Sequence, residues 1–79
     1  MTKTDFFGLV ASVLNVPVNC LSPESTPDEI SSWDSLAQVT ICAALEQTLN
    51  IQFSMTDMLS IKALSDFFDL LEKHGISME

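Results

Sequence analysis

Ser31-Ser32-Trp33-Asp34-Ser35-Leu36 is the stretch on which the fold turns, because an irregular segment gives way there to an apolar-periodic run from Leu36 to Leu49. Asp34 suits an N-cap: its carboxylate can accept the N–H groups that the first turn of a helix leaves free. Ser35 then occupies the first helical position and Leu36 lies just inside. A hydroxyl at that position is exposed and stands at the positive end of the helix dipole. A phosphate attached to it would be favoured by that field and by the unpaired N–H groups around it.

Upstream, Thr2-Lys3-Thr4-Asp5 fits a capping box with Thr2 as N-cap. Phe6, Leu9, Val10, Val13 and Leu14 keep the spacing of an amphipathic helix, so a first helix is predicted from about Thr4 to Asn15. Val16-Pro17 is expected to end it, since the residue before a proline is pushed out of the helical region. Gly8 weakens this helix and is expected to mark a close approach by a neighbour. From Val16 to Trp33 no period is sustained. Pro17, Pro23 and Pro27 break the stretch, and its serines supply turn chemistry. A loop this long within a small domain is unusual and often functional. Val16, Val18, Leu21, Ile30 and Trp33 are its expected apolar anchors.

Downstream, a second helix is predicted from about Ser35 to Asn50, and it carries two apolar stripes. Ile41, Cys42, Leu45 and Leu49 suit a core. Leu36, Val39 and Ala43 fall on an adjoining face that starts beside Ser35 and suits contact with a partner. Ile51-Gln52-Phe53 alternates, but so short a run reads as a turn. Ser54-Met55-Thr56-Asp57 opens a short third helix ending near Leu59. Ser60 is the expected cap of the last helix, whose apolar residues are Ile61, Leu64, Phe67, Phe68 and Leu71. Gly75 reads as its C′ residue, with Lys73 and His74 placed to suit the dipole. Asp66, Asp69 and Glu72 read as a solvated face, and His74, without a second ligand or base, has no catalytic role. The fold expected is all-α: one domain over residues 1–79, a small four-helix bundle with a long first loop and a short third helix.

Composition bounds the function. Hydrophobic residues at 47% against 18% charged indicate a folded chain. Eleven acidic residues against three basic ones give a formal charge of −8, which argues against nucleic-acid binding and for partners with basic surfaces. Cys20 and Cys42, with one histidine, are too few for a structural zinc site, so no metal is expected and both thiols are expected to be buried and reduced. No apolar run is long enough to cross a bilayer and no signal pattern opens the chain. A soluble, cytoplasmic, monomeric protein is therefore expected.

Asp34-Ser35-Leu36 opening a helix midway along a short acidic helical chain resembles the acyl carrier proteins, over about Thr2 to His74. The resemblance implies a carrier, not an enzyme. It implies 4′-phosphopantetheine, taken from coenzyme A and attached to Ser35, with Asp34 and Leu36 flanking the site and Asp34 helping a phosphopantetheinyl transferase recognise it. Cargo would be an acyl, polyketide or aminoacyl group held as a thioester. Partners would include the transferase, a loading ligase or acyltransferase, and synthase or tailoring enzymes, docking on the second helix through Leu36, Val39, Ala43 and Glu46. The cargo would lie between the second and fourth helices, near Leu45, Ile61 and Phe68. Two departures point towards a specialised pathway. Glu46 is the only acid between Ser35 and Thr56, and Trp33 replaces the small residue common two places before the serine. An unmodified interaction module docking through the second helix remains the alternative.

Overall fold

Thr2 Oγ1 accepts the Asp5 N–H at 3.0 Å, and from there α1 runs from Lys3 to Leu14. The structure, a computed structural model, describes all 79 residues. After a long loop come α2 (Ser35–Leu49), α3 (Met55–Leu59) and α4 (Leu64–Lys73), with no strand anywhere. Ile51-Gln52-Phe53, where a turn rather than a strand is expected, forms no strand and joins α2 to α3 as irregular chain, and the capping box at Ser54 is complete, with Ser54 and Asp57 each accepting the other's N–H. Gly75 sits at φ 82° after α4, and the Ile76 N–H returns to the Leu71 carbonyl at 2.9 Å, closing a Schellman end.

The core is built where the helical periods put it. Phe6, Val10 and Leu14 of α1 meet Ile41, Cys42 and Leu45 of α2 and Leu64, Phe67 and Leu71 of α4, all almost fully buried. Phe6 packs against Phe67 and Phe68, with ring centroids 5.7 and 5.2 Å away, so an aromatic seam joins α1 to α4. The chain ends meet as well: the Lys3 N–H donates to the Glu79 carbonyl at 2.8 Å, and the Glu79 N–H to that of Met1 at 3.2 Å.

Several expectations are corrected. Helix α4 starts at Leu64, with Ser60 serving instead as the C-cap of α3, where its hydroxyl donates to the Asp57 carbonyl. The first free N–H groups of α4 are taken by the loop: Leu64 donates to the Ser25 carbonyl at 3.0 Å and Ser65 to that of Pro23 at 2.8 Å. Asp66 is part-buried, its Oδ2 accepting the Lys62 and Ala63 N–H groups, so it caps α4 rather than facing solvent. Helix α1 ends on Asn15, which takes the left-handed conformation (φ 56°) ahead of Val16-Pro17; Asn50 ends α2 in the same way. A side chain added at Gly8 would meet only open space, so no neighbour approaches closely there. Val18 is exposed on a single 3-10 turn (Val18–Cys20), where Pro17 and the tight turn hold it off the core. Cys20 on the same turn is exposed too, leaving Cys42 as the one buried thiol.

Candidate functional site

Asp34 is extended, and its Oδ1 accepts the Ala37 N–H at 2.9 Å. This cap spends one N–H of the first turn of α2 and leaves those of Ser35 and Leu36 without partners in the chain. Ser35 is the first helical residue and is exposed. An attached anion would sit beside two free N–H groups at the positive end of a helix of 15 residues, so the residues present fit a phosphodiester there.

Ser35 opens onto a cleft of about 490 Å³. One wall is α2, through Ser35, Gln38 and Val39; the other is α3 and the turn after it, through Met55, Met58, Leu59 and Ile61. Pro27, Trp33 and Asp34 of the loop complete the rim. Of the residues expected around the cargo, only Ile61 lines this cleft. Leu45 is sealed in the core and Phe68 stacks on Phe6 and Phe7 across the molecule, because α3 rather than α4 packs beside the start of α2. Trp33 is 3% exposed, and its indole Nε1–H donates to Gln38 Oε1 at 2.7 Å. Gln38 Nε2 in turn donates to the Met58 carbonyl at 3.2 Å.

Beside the cleft an apolar surface stands in solvent: Leu36 (75% exposed), Val39 (54%), Met55 (68%) and Leu59 (73%). Leu36, Val39 and the exposed Ala43 continue along one side of α2, as the stripe predicted. Glu46 is turned away to a structural task, its Oε2 accepting the Phe53 N–H at 2.8 Å. Met55, Met58 and Leu59 were not anticipated from the sequence. They hold i, i+3, i+4 spacing, but α3 is only five residues long, too short for a period to stand out.

Asp57, on α3, is the other concentration of charge. Its carboxylate accepts the Ser54 N–H, the Lys73 ammonium at 3.2 Å and the His74 ring at 3.3 Å. The Ser54 backbone hydrogen bond, helped by Lys73 and His74, holds its pKa down at about 2. An ionised carboxylate only accepts, which puts the His74 proton on Nε2. Burial, with a smaller push from Glu46, raises the Cys42 thiol to about 11, so it stays protonated and unreactive. No group of His, Cys, Asp and Glu is gathered to hold a metal, and no helix is long and apolar enough to cross a membrane.

The comparisons with known proteins agree with this geometry. A family model described as "Phosphopantetheine attachment site" matches residues 5–71. An acyl carrier protein of Syntrophobacter fumaroxidans is 30% identical over 66 residues, covering 84% of this chain and 82% of that protein. Proteins of this kind bind phosphopantetheine covalently and carry intermediates among biosynthetic enzymes, after a phosphopantetheinyl transferase has primed them. With a capped helix start on an apolar cleft and a match spanning all four helices, the chain belongs to the phosphopantetheine-binding carriers of the acyl carrier protein family and is not an enzyme.

Proposed function

We propose that Ser35 is the attachment point and that the chain, acting as one cytoplasmic, monomeric carrier domain over residues 1–79, serves a specialised biosynthetic pathway. The observation that carries this reading is the exposed Ser35 hydroxyl at the first position of α2, with free N–H groups beside it and an apolar cleft at its side. The bound group supplies a thiol that holds an acyl, polyketide or aminoacyl cargo as a thioester. The chain's own residues do the rest. Asp34 fixes the turn that presents the hydroxyl, and Leu36, Val39 and Ala43 of α2, with Met55 and Leu59 of α3, form the apolar ground for a loading ligase, acyltransferase, synthase or tailoring enzyme. Glu46 supports the Phe53 turn and contributes little to docking. Tethering replaces free diffusion of cargo by a high local concentration at each docked enzyme.

Incubation with coenzyme A, magnesium and a broad-specificity phosphopantetheinyl transferase tests the attachment. Intact mass should rise by one phosphopantetheine in the native chain and stay unchanged in Ser35→Ala, which the first helical position tolerates. Modification of the alanine variant, or of another serine, would overturn the assignment. A native chain that accepts nothing would return the protein to the reading of an unmodified interaction module.

A further inference from the structure

Behind the rim of the cleft, Gln38 is a tie between three parts of the chain. Its Oε1 accepts the Trp33 indole N–H from the loop and its Nε2 donates to the Met58 carbonyl at the end of α3, while its own backbone belongs to α2. The Cys42 sulfur lies 4.0 Å from the Gln38 amide nitrogen, and Ile41, Cys42 and Leu45 of the same helix are buried in the core. The other concavities of the molecule lie elsewhere on the surface and share no residue with this one, so no second chamber continues it.

We propose that Gln38, tied to Trp33 and Met58, sets the depth of the cleft beside Ser35, so that the cargo sheltered there is a short acyl group and a longer chain stays in solvent. The proposal rests on Ser35 as the attachment point. Its physical basis is the cost of going further. A hydrocarbon pushed past Gln38 must displace the amide, and it offers nothing to bond in return. The indole N–H of buried Trp33 and the carbonyl of half-buried Met58 would both lose their partner, and a polar group left unpaired away from water is costly. Each added methylene before that point gains contact with Val39, Met55 and Leu59; each one after it gains nothing until the tie is broken.

The test loads Ser35 with pantetheine arms bearing butanoyl, octanoyl and dodecanoyl groups, using the acyl-coenzyme A donors and a tolerant transferase, and confirms each by intact mass. Thermal midpoint and the emission of Trp33, the only tryptophan in a chain without tyrosine, are then read. The butanoyl form should melt higher than the free-thiol form and shift the emission, and the longer chains should add nothing. In Gln38→Ala the midpoint should instead climb with chain length. Should that variant lose cooperative melting, Trp33→Phe cuts the same tie from the other side and should show the same climb. A steady climb to dodecanoyl in the native protein, or no length dependence in either variant, overturns the proposal. Failure to load Ser35 at all overturns the attachment reading, and this proposal falls with it. Normal loading with a steady climb overturns the depth limit alone.

Discussion

At the scale of a single residue, Asp57 has the most to lose. Its carboxylate closes the capping box of α3 and at the same time holds Lys73 and His74 at the end of α4. Three donors on one buried anion favour its charged form, and the carboxyl titrates at about 2 instead of the ordinary 3.8. The sign follows. The unfolded chain takes up this proton first as pH falls, so the stabilisation is whole above about pH 4 and drains away towards pH 2. Asp57→Asn should lower the thermal midpoint at neutral pH, and its deficit against the native protein should shrink through that window. Melting curves from pH 7 to pH 2 would check this; a deficit that does not vary with pH would mean that packing, not charge, is lost.

Among the elements, α2 and α3 share the exposed apolar surface beside Ser35, on which the proposed docking depends. Covering the exposed half of Val39 is worth about 1 kcal/mol, and an unpaired carboxylate forced into that contact costs more. Val39→Asp should therefore weaken binding to the loading enzyme of the pathway far more than Glu46→Gln does, and in the same order at high salt, as calorimetric titration would measure. The reverse order, with binding lost at moderate salt, would mean electrostatic recognition. Much of this was legible in the sequence. The caps at Thr2, Asp34 and Ser54, the stripe from Leu36 to Ala43 and the Gly75 ending all follow from local rules that need no neighbour. The start of α4 reads one turn too early in the sequence: Asp66 closes it locally, but the acceptors for its first free amides belong to Pro23 and Ser25, some forty residues upstream, where no local rule points. The cleft was not legible for the same reason: nothing in the order of residues says that the Trp33 indole meets Gln38, or that α3 rather than α4 lies beside Ser35.

For the whole molecule, one core joins α1, α2 and α4, and Phe67 carries the share of α4 that meets the Phe6 ring of α1. A chain of this size has roughly 5–10 kcal/mol in hand, and emptying a fully buried Phe site costs about 3–5 kcal/mol. Phe67→Ala should broaden or abolish the calorimetric transition, whereas Phe68→Ala, half-buried at the rim of the seam, should only lower it. If both melt like the native protein, α4 does not close the core. The charge of −8 works at a different range. Any pull it exerts on a partner with a basic surface should fade as salt shortens the screening length to about 8–10 Å.

The two loop carbonyls that cap α4 also decide which parts of the chain come apart together. When residues 23–25 lift away, the Leu64 and Ser65 amides lose their acceptors in the same event, and the opening should run into the first turn of α4 rather than stop at the loop. In native-state hydrogen exchange those two amides, remote in sequence from the loop, should trade their protons for deuterium at the rate of the Ser25 amide. They should do so well ahead of Leu70 and Leu71 further along the same helix. The segment leading to the site and the start of the last helix would then breathe as one unit.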